Sequence, residues 1–589
     1  MLRGTPTLLI ALSAAATAAT PLPAQISGLV GWEGPVSAED STRLLRAARS
    51  DQTSFERLRR NNLPQTWGGG SSRCDERVGR FCLTHGDGID DWIAPPEESD
   101  VIAARAQLID GLNQVAQLVP GDDWIAGQRV RYLVEAGRLE QALAAAEECS
   151  GEVWWCAALR GYVLHYASRA DEADDAFDAA LASLDEEERR RWSDLSLILD
   201  ERSVRRYRRM PEEERPAFEE RFWRLSDPLL TRPGNELRSE HFARHVMDQF
   251  QYRAQSPDGI SWGYDLREIL IRYGWPTGWE RIRDFGPLTG PPPLVSHYSS
   301  APHYLLPPPE AILDETGTAG GWEAELPKAR TGYNIPLEDS VARWFSPLDH
   351  QVAVFRRGTR AMLVAGYELP SDSLPEGVLV RASLAVLPTT DLLVDPDIVG
   401  NEGNDTRGAM VVEVPARPSL MSLELIVPEE RRLARARYGI DLTPASPGLI
   451  SLSDLLLLRP GEALPDSLEG AVALARGSSR VAVGEQLGVY WEIYGLERRS
   501  DAEISISLQL LQGRTGWLRR LAERAGLMRE VTPVRLRWQE PVAEGEFMSR
   551  SVEIEVPDVA PGTYTLELTV DASGREPLSV RKDIEIGDG

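Results

Sequence analysis

Apolar positions recur with two different periods along this 589-residue chain, and the change of period divides it. Helical spacing governs the first half. Ser41 to Asn61 is a charged helical stretch and Val101 to Val119 one apolar-periodic segment. Trp124 to Cys149 holds two more, parted at Ala136-Gly137-Arg138 where a glycine can end a helix. Gly137-Arg138-Leu139-Glu140-Gln141-Ala142 is answered by Ser168-Arg169-Ala170-Asp171-Glu172-Ala173. Each follows a helix bearing an aromatic, Tyr132 first and then Tyr162 or Tyr166. The offset is close to the period of tetratricopeptide helix pairs, which stack to bury one face and leave another concave for peptides. A helical bundle without a ligand suits two repeats equally well. Glu201 to Glu220 reads as a solvated helix.

After Val341 the period becomes two. Val352 to Phe355, Met362 to Tyr367, Val378 to Leu387, Met410 to Val414 and Leu420 to Val427 are short runs bounded by turn residues, as in a β-sandwich. A second set follows Pro465-Asp466-Ser467, from Leu487 to Tyr494 through Val580 to Ile586. In Thr563 to Val570 every second residue is apolar, the mark of a strand with one buried face. Two immunoglobulin-like sandwiches are expected. Between the two regimes, Gly286 to about Pro336 is dominated by proline and glycine and reads as a linker.

The ends and the composition narrow the function. Arg3, the run Leu8-Leu9-Ile10-Ala11-Leu12 and then Leu22 and Ala24 have the order of a secretory leader, with cleavage expected between Ala24 and Gln25. No later run reaches the roughly 18 uninterrupted apolar residues of a membrane span. The expectation is a protein exported to the periplasm or the cell exterior. A formal charge of -27 and a pI near 4.8 argue against a nucleic-acid partner, which needs a basic face. Only Lys328 and Lys582 are lysines, and no phosphate-loop lysine motif or Schiff-base context is present. Gly68-Gly69-Gly70 reads as a flexible loop, and acidic pairs such as Asp174-Asp175 as solvated surface. Cysteines fall in two close pairs, Cys74 with Cys82 and Cys149 with Cys156. Two local disulfides are the preferred pairing for an exported chain, although four cysteines allow three connectivities.

One segment resembles a known family. Ser261-Trp262-Gly263-Tyr264-Asp265-Leu266-Arg267-Glu268-Ile269-Leu270-Ile271-Arg272-Tyr273-Gly274-Trp275-Pro276 is similar to the core of the GWxTD domain of exported bacterial proteins, a family with no established activity. Trp262, Asp265, Arg272, Tyr273, Gly274 and Pro276 carry the match, with Trp223, Asp227-Pro228, Asn235-Glu236 and Arg244 in order upstream and Val489 to Tyr494 downstream. Ser261, Tyr264 and Trp275 depart from the pattern, which marks a divergent relative. The resemblance implies export and a sandwich partner domain; it supplies no catalytic residues. From the residues alone, Asp265 with Glu268 fits a capping box, and Leu266, Ile269, Leu270 and Tyr273 share one helical face that Gly274 and Pro276 end. A strand through Ile269 to Arg272 is the competing local structure.

The expected fold class is therefore multidomain α plus β. A signal peptide covers 1–24, an N-terminal extension 25–98, tetratricopeptide-like helices 99–200, an α+β GWxTD-like region 201–290, the linker 291–336, and the two sandwiches 337–462 and 470–589.

Two constellations are candidates for chemistry or contact. His241 and His245 lie four apart on one helical face and form the best candidate metal pair, for zinc, with Glu236, His297 or His303 as a third ligand. The zincin helix needs glutamate after its first histidine, where Phe242 stands. Trp517, Arg519, Arg520 and Arg524 belong to a basic amphipathic stretch, 514–530, suited to an anionic membrane surface or an acidic groove, or simply packed on its own sandwich. No nucleophile elbow or dinucleotide fingerprint appears. The leading expectation is an exported, non-catalytic interaction or scaffolding protein with a protein partner in the cell envelope and no cofactor. A metal-dependent hydrolase using His241 and His245 comes second, and a carbohydrate-binding sandwich protein third.

Overall fold

The computed structural model describes residues 37–67, 74–84, 93–283, 294–298, 344–370, 374–389, 391–392, 394–430, 432–444, 449–461, 463–496, 503–512, 534–542, 547–572 and 575–587. The leader, His303 and the basic stretch with Trp517, Arg519, Arg520 and Arg524 lie outside the described residues.

Helices come first, as the 3.6 period requires. They are α1 (Ala38–Asn61), α2 (Ser99–Leu118), α3 (Asp123–Glu135), α4 (Leu139–Glu147), α5 (Val153–Tyr166), α6 (Ala170–Ser183), α7 (Glu186–Ser193), α8 (Glu201–Arg209), α9 (Arg215–Ser226), α10 (Glu236–Phe250) and α11 (Tyr264–Tyr273). Ser37, Asp122, Asp185, Asp200 and Asn235 each accept a first-turn amide and so fix where α1, α3, α7, α8 and α10 begin. The α3–α4 and α5–α6 turns share one geometry. Arg138 N–H reaches Leu133 O (2.9 Å), Arg169 N–H reaches Leu164 O (3.0 Å), and Gly137 and Ser168 both take positive φ, an offset of 31 residues. Glu201 to Glu220 is two helices and not one, since Pro211 has no amide to continue α8.

One apolar core runs through α1 to α6, α10 and α11, with Phe55, Leu112, Tyr132, Leu159, Phe177, Phe242 and Leu270 inside it. The segment expected as an N-terminal extension is built into the body. Its helix α1 lines this core, and its strand β1 (Gln65–Trp67) pairs in parallel with a strand more than 200 residues later. The short strands are β1, β2 (Glu76–Val78), β3 (Phe81–Leu83), β4 (Gly278–Arg283) and β5 (Leu294–His297); they form a β1-β4-β5 sheet and a β2–β3 hairpin. Cys74–Cys82 closes the hairpin and Cys149–Cys156 ties α4 to α5, the two local bridges expected.

Next come β6 (Trp344–Pro347), β7 (Asp349–Arg357), β8 (Arg360–Glu368), β9 (Val380–Pro388), β10 (Asp397–Gly403), β11 (Arg407–Pro415), β12 (Ser419–Val427) and β13 (Arg432–Ile440). They make a β10-β9-β12-β13-β6 sheet and a β11-β8-β7 sheet around Leu363, Leu384, Met421 and Leu423. The last unit holds β14 (Ser451–Leu452), β15 (Leu456–Leu458), helix α12 (Leu468–Leu474), β16 (Arg480–Ala482), β17 (Gln486–Tyr494), β18 (Glu503–Gln512), β19 (Val534–Pro541), β20 (Phe547–Glu555), β21 (Gly562–Ala572) and β22 (Leu578–Gly587). There β14, β15 and β20 pair with β17, opposite a β16-β22-β21-β18-β19 sheet, around Trp491, Ile506, Leu568 and Ile584. Because β14 and β15 precede residue 462 yet pair with β17, this unit starts earlier than the alternation indicated.

The helices are fastened to the first pair of sheets through β12, which is buried at every position. Leu420 and Ile426 pack on residues from the helical side, among them Leu225, Leu229 and Leu230. Between them buried Glu424 accepts the Leu230 amide (3.0 Å), the Thr231 hydroxyl (2.6 Å) and the Arg437 guanidinium (2.8 Å). Arg435 and Arg437 donate in turn to the carbonyls of Asp227, Pro228 and Leu225. Sheet side chains thus set the path of residues 225–231, as buried polar groups must be paired. No helix among the described residues is long and apolar enough to cross a membrane.

Candidate functional site

The family-like motif forms a joint. Residues 264–273 are helical, which settles the helix-versus-strand alternative. The capping-box expectation is corrected: Gly263 is the N-cap, Glu268 bonds Arg272, and Asp265 is taken by Arg80. Arg80 Nε and Nη2 meet the two Asp265 oxygens at 2.6 and 2.8 Å, and its backbone amide adds a third bond. Those bonds from Arg80 hold the Asp265 carboxyl well below the usual carboxylate range. Tyr273 donates to Glu76 Oε2 (2.6 Å) while Arg272 meets Glu76 Oε1 (2.8 Å). Both partners lie on the disulfide-closed hairpin. Gly79 in its turn has φ +52°, and a Cβ there would fall 2.5 Å from the Asp265 Cβ. At the other end of α11, Gly274 has φ +81° with Arg244 against it, and Arg244 donates to Ile271 O (2.9 Å). Trp262 donates to Asp248 on α10 (2.8 Å). Trp275, one of the departures, lies under the Arg131 guanidinium at 5.6 Å. Pro276 separates this helix end from β4. The motif is thereby committed to holding hairpin, α10 and α11 together.

Helix α10 carries polar residues inward. His241 and His245 are both buried, their rings 4.8 Å apart. His241 Nε2 donates to Trp192 O (3.1 Å), and His245 stacks on the Trp192 ring at 5.3 Å. Burial lowers His241 to about 4 and His245 well below its ordinary value, so both are neutral near pH 7. Of the third ligands considered, His297 is held by Glu280 in the β4–β5 sheet (3.1 Å), and Glu236 opens α10. Among the described residues no group of three or more His, Cys, Asp or Glu side chains comes together to hold a metal ion. A hydroxyl–imidazole–carboxylate row also crosses this helix: Ser239 Oγ is 2.9 Å from His165 Nδ1, and His165 Nε2 is 2.7 Å from Glu240 Oε2. Ser239 and Glu240 have no exposed surface, and Glu240 also binds Arg244 (2.6 Å), so the row braces α5 against α10 and offers a substrate no face.

The outer face of α10 opens on a cleft of about 880 Å³, within the range of small-ligand and peptide-anchor sites. Four structures meet there: α6 with Asp174, Asp178 and Leu181; α9 with Glu219, Glu220, Trp223 and Arg224; the 227–235 segment fastened to β12; and the approach to β10 with Asp395 and Ile398. Asn235 sets the corner. Its amide N–H donates to Asp174 (2.8 Å), its side-chain nitrogen to Trp223 O (2.7 Å), and its side-chain oxygen accepts the Arg238 amide (3.0 Å). Trp223 and Phe242 form an apolar floor, with the Arg238 guanidinium 5.1 Å from the Phe242 ring.

The cleft's electrostatics are unusual for its carboxyls. Burial pushes Asp174 up to about 6 despite Arg238, and Glu219 up to about 7 although Tyr207 donates to it (2.6 Å). Asp227 is also raised by burial. Raised carboxyls grouped in a concave site are a physical pointer to function. Asp174, expected on the solvated surface, is instead half-buried here. Asp174, Asp178 and Leu181 stand at helical spacing on one face of α6, a signal present in the sequence; the other walls come from distant segments.

No family model matches the chain, and no curated protein matches it. Among solved structures, red sea bream transglutaminase is similar over 56% of this chain at 10% identity and a TM-score of 0.13. The likeness spans 44% of the transglutaminase, and at that score it carries no argument about fold or activity.

Proposed function

We propose that this protein is an exported, non-catalytic interaction or scaffolding protein of the cell envelope, and that the cleft between α6, α9, the 227–235 segment and β10 receives its partner. One observation carries the reading: the cleft is open and amphipathic, whereas the motif, the α10 row and the β12 clamp are engaged with other parts of the chain. The motif residues bind one another's segments, and His241 and His245 are enclosed. The two local disulfides agree with an oxidising compartment.

The finer assignments belong to the same reading. The congruent α3–α4 and α5–α6 turns support tetratricopeptide-like helix pairs, and the paired sheets around single apolar cores support immunoglobulin-like sandwiches. The divergent relationship to the GWxTD family rests on the sequence resemblance of 261–276 alone.

A photo-crosslinking residue in place of Ile398, on the cleft rim, tests the docking role in the native cell envelope; the same residue at Leu464, exposed in the last unit, is the control. A discrete adduct from Ile398 alone is expected. Equal labelling at both positions, or none at Ile398, overturns the proposal. Stoichiometric zinc in the purified protein that is lost in His241→Gln/His245→Gln would instead favour the hydrolase reading.

A further inference from the structure

We infer that the cleft takes a cationic segment of a partner protein, a stretch of chain whose arginine or lysine side chains alternate with apolar ones. This rests on reading the cleft as a docking site and adds what docks there.

The charge inventory is the first argument. Six carboxyl groups line the cleft against three guanidinium groups, Arg224, Arg232 and Arg238. Two of those arginines are already occupied. Arg238 is held by Asp174 (3.0 Å) and Asp178, and Arg224 gives Nε to Leu392 O (2.9 Å) and Nη2 to Val394 O (3.4 Å). Burial raises Asp174, Glu219 and Asp227, which therefore carry less than a full charge near neutral pH, so the negative excess rests on Glu220 and Asp395, exposed at the rim and without an ion-pair partner among the described residues. The net charge of -27 attracts a cation in the same sense over longer range.

The lining supplies the second argument. A cationic side chain needs an apolar track for its methylenes and a polar end for its head. Leu181 and exposed Ile398 provide the track, backed by the buried Trp223 and Phe242, beside Glu219 and Glu220. The chain's own Arg238 already covers the Phe242 ring, 5.1 Å from its centroid, so an incoming side chain meets Leu181 and Ile398 and not that ring. A volume of about 880 Å³ holds a few residues of extended chain.

The test uses the full chain and a fluorescent synthetic peptide of alternating arginine and leucine. The comparison peptide has every arginine replaced by citrulline, which keeps the shape and removes the charge. The arginine peptide is expected to bind, with Kd rising about tenfold for the citrulline peptide and for Glu220→Arg/Asp395→Arg, the scale of losing two rim attractions. Glu553→Arg, on exposed β20, controls for attraction to an acidic protein in general and is expected to leave Kd unchanged. Equal loss in the Glu553→Arg variant overturns the inference. Equal binding of the citrulline peptide, abolished by Ile398→Arg, also overturns it but leaves the docking role standing. If neither peptide binds, the cationic assignment falls and the docking role is decided by the Ile398 cross-link alone.

Discussion

At the scale of single residues, position in the fold reverses what the residue types alone suggest. His241 and His245 have metal-ligand spacing, yet burial makes them neutral packing groups. The consequence is a pH dependence whose sign follows from His241. Its folded value, about 4, lies below the ordinary 6.5, so on acidification the unfolded chain binds the proton first. The contribution is complete above pH 6.5 and is lost as pH falls through 4, at most about 3 kcal/mol from the size of the shift. Asp174 and Glu219 act oppositely, because their raised values let the native state take up protons first. Replacing His241 by Gln, which keeps a nitrogen for Trp192 O, is therefore expected to shrink the loss of helical stability between pH 7 and 4.5; urea midpoints at both pH values measure it. A second residue-scale outcome concerns Gly79→Ala. With φ at +52° and the Asp265 Cβ only 2.5 Å from a new Cβ, the hairpin must shift, at a cost of roughly 1–3 kcal/mol. Faster amide exchange at 76–83, with α10 unchanged, is the expected signature; unchanged hairpin exchange would show that the Arg80–Asp265 joint does not depend on this turn.

At the scale of elements, much was legible locally and the joints were not. Apolar period located α1 to α6, the α3–α4 and α5–α6 turns and the long strands, because each reflects contacts within a few residues or one buried face. Pro211 breaks the helical period of 201–220, so the one expected helix is two. The joints depend on side chains that meet across long separations: Arg80 and Asp265 are 185 residues apart, and Glu76 and Tyr273 are 197 apart. No local pattern encodes such a pair, so Asp265 looked like a helix cap. The same holds for β12. Its unbroken burial comes from helical residues far upstream that cover its second face. The Arg437–Glu424 pair there gives an element-scale prediction. Arg437→Met leaves a buried carboxylate without its cation, which costs about 3–5 kcal/mol. Limited proteolysis should then cut within residues 225–231. Glu424→Leu/Arg437→Met should recover only part of that loss, because the Leu230 and Thr231 amides remain unpaired. Full recovery would mean those amides find other partners.

At the scale of the whole molecule, the polar clusters described above fall into two kinds. The motif, the α10 row and the β12 clamp hold segments together through bonds made within the chain. The cleft gathers raised carboxyls, an aromatic floor and unpaired acidic groups where helices and sheet meet, and it was not legible because four separate parts of the chain build it. On the proposed function the cleft, and not the segment 261–276, is the working surface. The most direct measurement is hydrogen–deuterium exchange of the full chain, alone and with the partner captured through Ile398. Slowed exchange confined to 174–181, 219–235 and 395–398 is the expected result; protection of 261–276 with an unchanged cleft would contradict it.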